Sequence, residues 1–169
     1  METKLKLVSR DTYVPTRKTK QAPSPLEAHL GFWLRFVSNH VSIRFQQLLE
    51  EEGVTVTEWV ALRTLWSQID TTHAELILAL GITKGAASKV VSRLEEKGLA
   101  GRQLAEGRAR EQCLALTAAG KALVPKLAAL ADTNDEHFFG HLAPKERQAL
   151  AQAMQALVQH HQLKELPTE

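Results

Sequence analysis

The chain has little of what marks a catalyst, a secreted protein or a membrane protein. It holds one cysteine, Cys113, so no intrachain disulfide framework can form. It contains no glycine-rich phosphate loop, no nucleophile elbow and no His-Glu-x-x-His helix. Those absences argue against an enzyme, and the expectation is a protein without a cofactor. No apolar run reaches the length a bilayer needs, and the first residues carry no signal-peptide pattern. The expectation is therefore a soluble, cytoplasmic chain with no membrane partner. Neither sign of charge dominates, with 21 Lys and Arg against 19 Asp and Glu. What is present is a 44 % hydrophobic fraction over 169 residues, enough for one domain, or one domain with a tail.

The cations are not spread evenly. From Lys84 to Arg110 stand Lys84, Lys89, Arg93, Lys97, Arg102, Arg108 and Arg110 against Glu95, Glu96 and Glu106, a local excess of +4 on a chain of +2. The spacing predicts a helix at the centre of this patch, with Thr83 as N-cap and Gly98 just past its end. Ala87, Val90, Val91 and Leu94 form its apolar stripe. The opposite face carries Lys84, Gly85, Ser88, Lys89, Ser92 and Arg93. Small residues there allow close backbone approach, hydroxyls suit bases or phosphates, and cations suit phosphate. Taken alone, the same face would read as the solvated side of an ordinary amphipathic helix.

The flanking segments decide between those readings. Upstream, Thr72 and Glu75 have capping-box spacing, and the short helix they open ends at Gly81, which makes a helix-turn-helix. Downstream, Leu99–Leu104 and Cys113–Leu116 read as two strands joined by the polar turn Glu106-Gly107-Arg108-Ala109-Arg110, a basic wing.

This combination resembles the MarR family of winged helix-turn-helix regulators. The matching residues are the Ile82–Gly98 pattern with Arg93-Leu94-Glu95-Glu96-Lys97-Gly98-Leu99, the wing Arg110, and Leu116-Thr117-Ala118-Ala119-Gly120 opening the next helix. The likeness runs from about Pro25 to Leu163. The family usually places an acid two residues before the wing arginine; here Arg108 stands there, which makes the tip more basic.

The resemblance implies a mainly α fold with a small β-hairpin wing and a helical dimerisation domain. Residues 24–53 and 117–165 would form the dimerisation region and 54–116 the DNA-binding domain. It implies a homodimeric transcriptional regulator, read here as a repressor, released from a near-palindromic operator by a small-molecule effector. The DNA-binding set is Thr83, Lys84, Gly85, Ala86, Ser88, Lys89, Ser92 and Arg93 with the wing residues Arg108 and Arg110. Lys89 is the choice for base readout and Arg110 for the minor groove. The effector, an anionic aromatic molecule, would enter a crevice bordered by the first, second and fifth helices. Trp33, Asn39, His40, Arg44 and Trp66 are nominated for it as a group, and packing is the competing reading for each.

The remaining stretches read as follows. Residues 1–23 carry six cations and two acids, without helical periodicity, and are either a solvated tail or a basic arm for DNA. Ser24-Pro25-Leu26-Glu27 reads as the start of a long first helix ending at Gly53, with an apolar side wide enough to need a partner chain. Thr55 and Glu58 form a capping box for a second helix, whose Trp59 and Trp66 are expected in the core. Thr117 caps a helix reaching about Gly140, with Pro125 expected to kink it, and a last helix follows Pro144 behind the weak cap Ala143. Cys113 reads as a small half-buried hydrophobe, with a redox switch as the alternative. His137, His141, His160 and His161 read as surface histidines, since no third and fourth zinc ligand accompanies them. Against DNA binding stands one reading of a different class, a winged helix used as a protein-interaction module.

Overall fold

The computed structural model describes residues 23–68, 71–104 and 112–163. Six α-helices and a three-stranded antiparallel sheet follow one another as α1 (Leu30–Glu51), α2 (Val56–Ser67), β1 (Thr71–Thr72), α3 (His73–Leu80), α4 (Lys84–Glu96), β2 (Ala100–Leu104), β3 (Gln112–Leu116), α5 (Ala118–Phe139) and α6 (Pro144–His160). The mainly helical winged fold expected from the sequence is the one observed.

Helix starts follow the side-chain oxygens. Thr55 and Thr72 each accept from the amide three residues on, and Glu58 and Glu75 reach back to the cap amides. Thr83 and Thr117 accept from Ala86 and Gly120. Ala143 has no oxygen to offer, but the Glu146 carboxylate takes its N–H at 2.8 Å, so α6 is better capped than its sequence suggests.

The first helix starts later than expected. Leu26–Ala28 is a 3-10 turn, and His29 is extended before α1 begins. The Trp33 indole N–H occupies the Glu27 carbonyl at 2.9 Å, the acceptor that a continuing helix would offer to Gly31. Ser24 caps nothing and is instead hydrogen bonded to His29 Nε2.

The sheet has one strand more than the expected hairpin. β3 lies in the middle, with β2 on one side and β1 on the other, in the register Thr71↔Leu114 and Gly101↔Ala115. Two threonines before a cap carry too little periodicity to read as a strand.

The core gathers under α4. Leu49 and Val54 meet Leu62 and Leu65 of α2, Leu76 of α3, Val91 and Leu94 of α4, Leu114 and Leu116 of β3, and Val124 and Leu127 of α5. Trp59 packs against it beside Phe45, whereas Trp66 is 47 % exposed and is not a core residue. Helix α6 has no buried residue at all.

A tight joint connects α4 to α5. Gly98 adopts φ +66, and Leu99 N–H closes on the Leu94 carbonyl at 2.9 Å. Thr117 then donates its hydroxyl to Gly98 and its amide to Leu99. Gly120 presses so closely on Leu99 that a Cβ would overlap its carbonyl oxygen.

Candidate nucleic-acid interface

Helix α4 separates its two faces cleanly. Ala87, Val90, Val91 and Leu94 are buried, and Thr83, Lys84, Gly85, Lys89, Ser92 and Arg93 are exposed. Ala86 and Ser88 are half-buried at the edge. The Ser88 hydroxyl donates to the Lys84 carbonyl at 3.0 Å and lies 3.4 Å from His73 Nε2, so it also touches α3. Ser88, Lys89, Ser92, Arg93 and Glu96 line a shallow hollow along this face.

The cations counted in the sequence divide into two kinds. Lys97 Nζ lies 2.7 and 2.9 Å from the two Glu58 carboxylate oxygens and 2.8 Å from the Gly53 carbonyl. Glu58 is only 1 % exposed. Burial pushes its carboxyl up, but the Lys97 ammonium and the Thr55 donors outweigh burial and hold it below the ordinary carboxylate value. One pair thus ties the end of α4 to the first turn of α2 and the turn after α1. Arg102 pairs with Glu95 at 2.7 Å, bridging β2 to α4. Lys84, Lys89 and Arg93 have no ion-pair partner among the described residues. Lys97 and Arg102 therefore belong to the scaffold, and the local excess of positive charge available to a ligand is smaller than the raw count suggests. No sequence signal marked the Glu58–Lys97 pair, because Glu58 already reads as a cap. Arg108 and Arg110 lie outside the described residues.

This geometry agrees with what the chain is similar to. Residues 54–104 match the MarR family model, the span that holds α2, α3, α4 and β2. An HTH-type transcriptional repressor of Mycobacterium tuberculosis is 29 % identical over 123 residues, covering 72 % of this chain and 88 % of the relative. The chain is thus similar to the MarR family of regulators. Among solved structures, a Mycobacterium tuberculosis MarR family protein in complex with DNA matches at TM-score 0.66 and 26 % identity, covering 76 % of this chain and 97 % of that one. BpsR of Bordetella bronchiseptica, whose DNA binding is described as regulated by 6-hydroxynicotinic acid, matches at TM-score 0.67 and 24 % identity, covering 80 % and 97 %.

Of the residues nominated for an effector crevice of the MarR type, Trp33, Asn39, His40 and Arg44 lie on α1 and Trp66 lies on α2. The Trp33 indole is committed to the Glu27 carbonyl, and His40 Nδ1 donates to the Phe36 carbonyl at 2.8 Å. Arg44 donates to Asn134 Oδ1 at 3.0 Å, and the buried Asn134 amide donates to the Val41 carbonyl. Asn39 is exposed on α1. Trp66 lines a cavity of about 330 Å³ whose other walls are Leu65, Gln68, Gln103, Ala115, Leu116 and Lys121. That cavity lies between α2, the wing strands and the start of α5, not against α1, and none of the other four nominated residues lines it.

Cys113 is more deeply placed than expected, fully buried on the central strand, with Sγ 3.6 Å from the Gln103 carbonyl. Among the described residues no three His, Cys, Asp or Glu side chains gather as metal ligands. Also among the described residues, no helix is long and apolar enough to cross a membrane.

Proposed function

We propose that this MarR-family chain is a homodimeric, sequence-specific double-stranded DNA-binding transcriptional repressor, not an enzyme, and that it acts in the cytoplasm. The observation that carries this reading is the exposed face of α4. Lys84, Lys89 and Arg93 stand free of ion pairs with described residues, on a helix whose other cation, Lys97, is fixed within the fold. Lys89, in the middle of that face, reads a base edge, and Lys84 and Arg93 hold phosphates. Thr83, Gly85, Ala86, Ser88 and Ser92 admit the duplex closely. Arg108 and Arg110 add wing contacts, Arg110 to the minor groove.

Two recognition helices of a two-fold dimer match half-sites about 34–36 Å apart. Dimerisation is supported by apolar side chains left exposed at both ends of the chain: Leu30, Trp33 and Val37 on α1, and Leu157 and Val158 on α6. A small-molecule effector shifts the dimer to a geometry that no longer fits the operator. The ligand control described for BpsR supports this part of the reading.

Fluorescence-anisotropy titration against DNA from the chain's own upstream region and against scrambled DNA, at two salt concentrations, tests the proposal. The expected result is a preference of a few orders of magnitude with a steep salt slope. Equal, weak binding to both would put the operator elsewhere or reduce the basic face to a non-specific anchor.

A further inference from the structure

Ser88 stands between two hollows. With Lys89, Ser92, Arg93 and Glu96 it lines the shallow one on the outer face of α4. With His73, Arg102, Cys113 and Leu114 it also lines a cavity of about 220 Å³ between α3, α4 and the sheet. Its hydroxyl bridges the two helices, donating to the Lys84 carbonyl at 3.0 Å and meeting His73 Nε2 at 3.4 Å. A serine hydroxyl has one proton and two lone pairs. A carbonyl only accepts, so the shorter contact, to Lys84, uses the proton. The His73 contact therefore needs a proton on Nε2, donated to the first lone pair of Ser88. The other polar groups of the cavity are engaged elsewhere: the Arg102 guanidinium pairs with Glu95, and the Cys113 thiol donates to the Gln103 carbonyl. Among the described residues nothing bonds the second lone pair of Ser88.

We infer that His73 fixes Ser88 as an acceptor, so that Ser88 selects a base that donates. This deepens the DNA-binding reading of α4 and rests on it. A serine hydroxyl ordinarily pairs with donors and acceptors alike, because it turns to suit the partner. Here the proton and one lone pair are both held inside the head, and a single lone pair is left for the groove. In the major groove adenine N6 and cytosine N4 donate, whereas guanine O6 and N7 and thymine O4 accept. Ser88 therefore favours adenine or cytosine on the strand it faces. Guanine or thymine there would set lone pair against lone pair and leave both unpaired. His73 touches no base in this arrangement. It is a positioning residue, reaching the recognition helix from the first turn of α3.

Two measurements on the full chain test this, the first without DNA. Long-range proton–nitrogen correlation NMR locates the ring proton of His73, assigned by its loss in His73→Gln. The expected spectrum shows Nε2 protonated and Nδ1 bare, with the two tautomers mixing once Ser88→Ala removes the acceptor. A proton on Nδ1, or a His73 signal that Ser88→Ala leaves unchanged, overturns the assignment.

The second measurement is selection of operators from a random duplex pool. The native chain is expected to favour adenine or cytosine about tenfold at one position per half-site. Ser88→Ala should lose that preference. His73→Leu frees a lone pair and lets the hydroxyl turn, so it should lose the preference too, while preferences at other positions are kept. His73→Gln carries an amide nitrogen the same number of bonds from the backbone and should restore it. Equal weakening on all sequences in His73→Leu, or an operator whose every position ignores Ser88→Ala, overturns this inference alone. A pool in which the native chain enriches no sequence overturns the repressor reading, and the claim for Ser88 falls with it.

Discussion

The reading head and the terminal helices solve burial in opposite ways. From α2 to the start of α5 the chain completes its own core: every helix there hides an apolar stripe, and a half-buried ion pair locks α4 to α2. The terminal helices do not. Leu49 is the one buried residue of α1, and α6 has none, while Leu30, Trp33, Val37, Leu157 and Val158 stay in water. A head that is finished within one chain can be held in a fixed shape, whereas the apolar ends left exposed within one chain are the surface that the proposed dimer would cover.

The largest expected effect comes from attacking the unfinished part. Leu157→Glu should leave the head folded and convert the proposed dimer to a monomer in light scattering, with operator affinity falling about a thousandfold as bivalency is lost. A dimer that persists would show that α6 is not the interface.

Within the head, Lys97→Met leaves the Glu58 carboxylate buried without its cation. Lys97 is itself 37 % exposed, so the cost is set below that of a fully buried pair, at about 2 kcal/mol in denaturant unfolding. The pH dependence has a definite sign. Because the Glu58 carboxyl lies below its ordinary value when folded, its contribution is present above about pH 4 and is lost on further acidification. The native chain should lose stability there more steeply than Glu58→Gln does. Parallel acid curves would mean that the pair does not set the stability of the head.

A smaller effect belongs to the free cations. Lys89→Ala should weaken operator binding about tenfold and relax preference at one base pair, with the melting temperature unchanged. Uniform weakening on all sequences would make Lys89 a phosphate contact. Smallest is Arg102→Gln: its pair with Glu95 is solvent-exposed and worth about 0.5 kcal/mol or less. Its salt slope on DNA should match the native one, since this arginine already has a partner; a flatter slope would return Arg102 to the binding face.

How much of this was legible depended on how local the cause was. The caps at Thr55, Thr72, Thr83 and Thr117 and the turns at Gly53, Gly81 and Gly98 act within five residues, and they placed the helices of the head correctly. The break at His29 depends on the Trp33 indole reaching back to Glu27, a choice that capping rules do not contain. β1 exists only because β3 has a free edge to pair. Counting charges could not separate Lys97 from Lys89, because the partner of Lys97 lies 39 residues away. Residue type alone puts Trp66 in the core, whereas its position near the end of α2 places it at the mouth of a cavity.

The joint at Gly98, Leu99, Thr117 and Gly120 has a mechanical consequence. With Gly120 pressed onto the Leu99 carbonyl and Thr117 bonded across the gap, the start of α5 is fixed to the turn that ends α4. Helix α5 spans 22 residues, about 33 Å at 1.5 Å per residue. It behaves as a lever arm: a tilt of about 5° over that length displaces its end by about 3 Å, the length of one hydrogen bond. The near end of that arm is tied to the turn that closes α4.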